Sequence, residues 1–114
     1  MRFSIILALL AVSASGAPPT TCGSQDDYGK ALCAYQRRQF GEAEAGFRAI
    51  VKQGEERPET PRAAYFLART LMKQGRYEEA SSLFIRIYGL DPAFYNGWNC
   101  DFLLGECRRA LGKG

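Results

Sequence analysis

The stretch AAYFLARTLMKQGRYEEASSLFIRIYGLDP, residues 63–92, carries two apolar stripes on either side of a glycine. Ala64, Leu67, Ala68 and Leu71 recur at intervals of three and four, as one face of an α-helix requires. Ala80, Leu83, Phe84 and Ile87 repeat the pattern. Between them Gly75 supplies the left-handed residue that ends a helix. Pro92 biases Asp91 away from helical geometry and closes the second stripe. The stretch therefore predicts a helical hairpin.

The same skeleton occurs 37 residues earlier, where RRQFGEAEAGF (37–47) matches QGRYEEASSLF (74–84). Ala31, Ala68 and Gly105 are separated by this interval, as are Tyr28, Tyr65 and Phe102. So are the pairs Leu67/Leu104, Phe40/Tyr77, Ala43/Ala80, Phe47/Phe84 and Ile50/Ile87. A fixed period in this range signals a solenoid, whose units bury their apolar faces only by stacking. The fold class is all-α: a short right-handed solenoid of helical hairpins, with about two and a half units. Five helices are predicted, at 25–37, 40–53, 61–74, 77–89 and 98–111. The first unit turns at RRQF without a glycine, and GEERPETP links it to the second. Thr60 and Pro61 form an N-cap and first-turn pair there.

These residues resemble the tetratricopeptide repeat family. Leu67, Ala68, Gly75, Tyr77, Ala80, Phe84 and Pro92 follow in family order. Ala64 and Leu71 depart from it, standing where the family prefers large aromatics. The period of 37 exceeds the family's usual 34, with the extra residues expected in the inter-repeat loop. Such longer spacing resembles the repeats of periplasmic envelope proteins of the TolA-binding coordinator and outer-membrane-assembly lipoprotein type.

The first residues read differently. Arg2, the apolar run Phe3 to Val12 and the small residues Ser13 to Ala17 have the three-part form of a secretory signal peptide. Residues 1–17 are thus expected to be a leader, 18–24 an N-terminal arm and 25–114 the repeat domain. The protein is expected to be secreted or periplasmic, held at a membrane only if the leader stays uncleaved. PPTTC lacks the pattern that lipidation at Cys22 needs. Loss of Arg2 with the leader lowers the net charge from +3 to +2, too little for a nucleic-acid partner. The chain has no histidine, so the usual near-neutral base and commonest metal ligand are missing. No cofactor or metal is expected.

The chain has four cysteines, Cys22, Cys33, Cys100 and Cys107, behind an export signal, a pattern that favours disulfides. Units one and three are separated by the whole of unit two. Pairing across them would exceed the roughly 4.4–6.8 Å Cα separation a bridge allows. Cys22–Cys33 and Cys100–Cys107 are therefore expected, the latter only if Cys100 lies outside the helix, since seven helical residues span about 10.5 Å. The redox or metal alternative lacks a CxxC or a histidine cluster.

Asp101, Gly105 and Arg108 share the face of the last helix that would meet a second helix of its unit. That face is polar, so the helix reads as a solvating cap, with Phe102, Leu104 and Leu111 packing backward. In the resembled family the first helices of successive units line a concave groove. Carried over, the resemblance implies partner-binding positions at Tyr28, Tyr35, Tyr65, Arg69, Met72, Lys73, Phe102 and Arg109. The ladder Tyr28–Tyr65–Phe102, flanked by Arg69, Lys73 and Arg109, offers aromatic and arginine anchors of the kind interfaces favour. Rings at this spacing serve equally as packing between helices.

Adjacent acids at Asp26/Asp27, Glu55/Glu56 and Glu78/Glu79 read as helix starts and loops rather than catalytic pairs. The expected function is an exported scaffold or adaptor for a protein or peptide, without catalysis. The alternatives are a self-associating structural subunit and, further off, a small secreted enzyme.

Overall fold

A computed structural model describes residues 23, 26–54 and 57–112. The leader, Cys22, Glu55 and Glu56 lie outside the described residues. Six helices form among them: α1 (Asp27–Gln36), α2 (Phe40–Lys52), α3 (Thr60–Lys73), α4 (Tyr77–Leu90), α5 (Pro92–Gly97) and α6 (Cys100–Ala110). α1 packs on α2, α2 on α3, α3 on α4, and α6 on α4, which is the nearest-neighbour order of a solenoid.

The 37-residue period is written into the backbone. Arg38, Gly75 and Gly112 take left-handed φ values of 64°, 78° and 76°, each just past the first helix of a unit. The amide of each donates to a carbonyl three residues back: Tyr35, Met72 and Arg109. Arg38 thus makes the turn for which the sequence offers no glycine. Its side chain lies over the Phe40 ring at 5.3 Å, a cation–π contact that offsets part of the steric cost of that conformation.

α3 is the centre of the molecule. Thr60, Pro61, Ala63, Ala64, Tyr65, Leu67, Ala68, Thr70 and Leu71 are all buried. Alanines at 63, 64 and 68 let α2 and α4 approach closely, and Phe47, Phe84 and Ile87 fill the space between. The alanine at position 64 is therefore a packing choice rather than a lost aromatic. In the first unit the approach is closer still. A Cβ on Gly46 would stand 2.8 Å from the Ala31 Cβ. Thr70 satisfies its buried hydroxyl by donating to the Phe66 carbonyl at 2.7 Å. Thr60 donates to the Gly54 carbonyl at 2.6 Å, tying the inter-unit loop to α3.

Four side chains clamp the two units on another face. Arg48 pairs with Glu44 at 2.6 Å and Glu79 at 3.0 Å. Arg76 pairs with the same two acids at 2.8 and 2.9 Å. The alternating charges join α2 to the start of α4. Arg48 and then Arg76 hold the Glu44 carboxyl below its usual range, outweighing a modest burial effect.

Three expectations are corrected by the structure. Pro92 does not merely stop α4. Asp91 is extended, its carboxylate accepts from the Phe94 amide at 3.0 Å, and Pro92 opens the additional helix α5. The second correction concerns α6. It starts at Cys100 and runs unbroken past Cys107, and both residues are free thiols with no exposed surface. Two helical turns hold their Cα atoms about 10.5 Å apart, so the bridge expected between them does not form. They share one face with Leu104 and pack into the core. Burial pushes Cys100 up to about 11 and Cys107 upward too, although Ser81 pulls the latter back.

α6 presents Leu103 and Leu104 to the core, while Phe102 is 57% exposed. Phe102 thus does not pack backward as expected. Asp101 and Arg108 are exposed, in agreement with the polar flank read from the sequence.

Candidate functional site

The candidate surface is built on α1 and α3. Both helices are rich in rings on this side. Phe66 is the hub. Its ring meets Tyr28 at 6.3 Å, Tyr35 at 5.5 Å, Phe47 at 5.8 Å, Tyr65 at 5.1 Å and Trp98 at 6.3 Å. Most of these are edge-to-face pairs, the geometry that ring quadrupoles favour. Trp98 stacks on Phe94 of α5 at 4.6 Å and meets Tyr65 edge-on at 5.0 Å. A continuous aromatic tract therefore runs from Tyr28 and Tyr35 through Phe66 to Trp98.

The ladder expected from Tyr28 through Tyr65 to Phe102 is not the arrangement found. Tyr65 is 7% exposed and belongs to the core, and Trp98 takes the place next to it that Phe102 was expected to fill. The cause is α5, which brings Phe94, and Trp98 just past its end, against Tyr65. A period of 37 aligns positions 65 and 102, but it is blind to a ring-bearing helix lying between repeats. Phe66 was missed as well, because it falls between the repeated positions. Its adjacency to Tyr65 on a helix already rich in rings was the available signal.

Two cations decorate the tract. Arg62 lies over the Tyr28 ring at 5.3 Å and Arg69 over the Tyr65 ring at 5.8 Å. Arg69 Nη1 also donates to the Tyr65 hydroxyl at 3.1 Å. Burial works against the Arg69 charge, but the Tyr65 hydrogen bond and the neighbouring Tyr35 phenol outweigh it and raise its pKa. The guanidinium is thereby held on α3 against Tyr65. Burial likewise raises the Tyr28 phenol despite the opposing Arg62.

Arg69, Met72 and Lys73, all expected here, gather with Tyr77 and Leu103 around a shallow depression of about 260 Å³. Arg109 stands apart from them in an ion pair with Glu106. Tyr28 and Tyr35 are half-buried at the other end of the tract. The structure thus brings together Tyr28, Tyr35, Tyr65, Arg69, Met72 and Lys73 along α1 and α3, and leaves Phe102 and Arg109 on the outer side of α6.

The acids lie elsewhere. Asp26 caps α1 by accepting from the Gly29 amide at 3.3 Å. Glu78 and Glu79 open α4. Among the described residues no three His, Cys, Asp or Glu side chains cluster to hold a metal. What the site offers chemically is apolar ring surface beside fixed positive charge, a combination suited to binding.

A sequence profile of the tetratricopeptide repeat family matches residues 28–93, more than half of the chain. Neither a curated protein nor a solved structure matches it. The matched span covers both complete hairpins, including the turns at Arg38 and Gly75, and stops before α6. With its hairpins stacked in register and its left-handed turns at a constant interval, the chain belongs to the tetratricopeptide repeat family, whose domains are protein–protein interaction scaffolds and typically non-catalytic.

Proposed function

We propose that this protein is an exported scaffold or adaptor of the cell envelope that binds a protein or peptide across its concave face, along α1 and α3. The observation that carries the reading is Arg69, held against the Tyr65 hydroxyl and ring at the edge of the depression it forms with Met72 and Lys73. A cation already held in place loses little further freedom on binding, so its attraction for a carboxylate is offset less by ordering. Lys73 and Arg62 extend the same positive sign. The ligand that fits is an extended segment with acidic groups or a free C-terminus, and with apolar side chains for the ring tract.

Export rests on the leader-like form of residues 1–17. A bridge between Cys22 and Cys33 belongs to the same proposal, since an oxidising compartment would be needed to keep it.

Because Tyr65 is core, the informative variants are Arg69→Glu and Lys73→Glu. Both positions border solvent, so the fold should survive, as circular dichroism would verify. Crosslinking in native envelopes should capture a partner with the wild-type chain and lose it with either reversal. An unchanged set of crosslinked partners in both variants sinks the proposal.

A further inference from the structure

A second surface lies on α4 and α6. α4 exposes Ile85 and Tyr88, at 54% and 57% of their surface, one helical turn apart. The Tyr88 ring packs edge-on against Tyr95 at 5.2 Å. The Tyr95 hydroxyl donates to Asp101 Oδ1 at 3.1 Å, which carries the surface onto α6. Between the two helices runs a groove of about 360 Å³, lined by Ser82, Ile85, Arg108 and Leu111 among others. Among the described residues nothing covers this side.

One flank of α6 reads Asp101, Gly105, Arg108, and Arg108 borders the groove. The outer two are exposed, and a Cβ placed on Gly105 would meet nothing within 4 Å. An acid and a base thus stand on either side of a position without a side chain. Such a pattern is self-complementary. If a second copy is laid antiparallel with a two-fold axis near Gly105, Asp101 of each copy faces Arg108 of the other. The bare backbone at Gly105 lets the helices approach where they cross. Tyr95 holds the Asp101 carboxylate through one oxygen and leaves the other for the partner's guanidinium. Ile85 and Tyr88 supply apolar surface beside the charges.

We propose that the outer flank of α6, with Ile85 and Tyr88 of α4, is an isologous contact surface for a second copy of this chain. A foreign partner would need only a complementary surface. The order acid, glycine, base makes this flank complementary to its own copy, as an isologous contact requires. The α1/α3 face does not meet this requirement, because a two-fold across it would set the cations Arg62, Arg69 and Lys73 of one copy among those of the other. The dimer therefore leaves that face free, and the assignment stands independently of any partner bound there.

Sedimentation equilibrium of the full chain, from micromolar to hundreds of micromolar, tests the assignment. The wild type should move toward dimer mass with concentration. Asp101→Arg and Arg108→Asp should each weaken association roughly tenfold or more, by opposing like charges. The double reversal D101R/R108D should recover it. Gly105→Arg should abolish it while keeping full helicity, since the site is open and arginine favours a helix. That variant decides the matter if Asp101→Arg fails to fold for want of its Tyr95 contact. A chain monomeric at every concentration overturns the proposal. So does a dimer indifferent to Gly105→Arg and Arg108→Asp, or a folded double reversal that stays monomeric.

Discussion

Removing the Phe66 side chain should weaken the joint between the two complete hairpins. The ring touches Tyr28 and Tyr35 of α1, Phe47 of α2, Tyr65 of its own helix and Trp98 beyond α5. Buried Phe→Ala substitutions cost about 3–5 kcal/mol, and Phe66 is only partly buried, so the lower end, about 3 kcal/mol, is expected. A domain of this size has a total stability on the order of 5–10 kcal/mol, so the loss is a large fraction. Phe66→Leu separates the two contributions. It keeps most of the apolar volume but loses edge-to-face pairs, each worth roughly 0.5–1.5 kcal/mol beyond area, and should cost about 1–2 kcal/mol after leucine repacks. Urea unfolding followed by circular dichroism gives the free energies. Fluorescence provides a local probe, because Trp98 is the chain's single tryptophan and lies 6.3 Å from the Phe66 ring. A solenoid is held by nearest-neighbour interfaces, so the two probes should separate in Phe66→Ala if α1 and α2 melt first. A cost below about 1 kcal/mol for Phe66→Ala, with both transitions still superimposed, would refute the assignment of Phe66 as the joint.

Three further perturbations bear on separate parts of the structure. Arg38→Gly should stabilise the chain by about 0.5 kcal/mol in chemical unfolding. It relieves a left-handed residue worth roughly 1–2 kcal/mol and gives up the contact over Phe40; Gly75→Ala, at φ 78°, should shift the midpoint the other way. Glu44→Gln should lower stability by less than about 1 kcal/mol, with the difference shrinking as salt is added. The Glu44 pKa is depressed in the folded state, so its contribution is present above its ordinary value and is lost as pH falls through the folded one; the variant should therefore flatten the acid limb of the melting curve. At high pH, Tyr95, pushed up to about 12 by burial and then Asp101, and Cys100, pushed up to about 11 by burial, both favour the folded state while protonated. Their contributions are complete below the ordinary values of 10.0 and 9.0 and are lost as pH rises toward the folded values, each on the order of 2–3 kcal/mol. Alkaline melts should show that loss, and Tyr95→Phe should remove the tyrosine part of it.

The hairpins were legible because their information is periodic. Helical spacing and a 37-residue interval both survive in a one-dimensional string, and the turns at Gly75 and Arg38 fall where that interval puts them. Arg38 shows the limit of residue-type rules. Neighbouring helices fix the left-handed turn there, and the chain accepts the strain without a glycine. The candidate site was legible only where it follows the period. Arg69, Met72 and Lys73 converge because they are one helical turn apart on α3. Phe102 and Trp98 exchanged roles because the residues that lengthen the repeat form α5 rather than a loop. Asp91 caps it, Pro92 opens it, and Phe94 on it and Trp98 just past its end both meet Tyr65. Disulfide arithmetic failed at Cys100 and Cys107 for a related reason. An even count of cysteines carries no register, whereas the apolar stripe of α6 does: positions 100, 104, 107 and 111 recur at four, three and four. Read as small apolar residues in that stripe, the two thiols belong in the core. The flank that remains, Asp101, Gly105 and Arg108, was read as a cap because it is polar. Its order of charges about a bare glycine is a separate property, one that hydrophobicity does not register, and it distinguishes a merely solvated face from one that can meet its own copy.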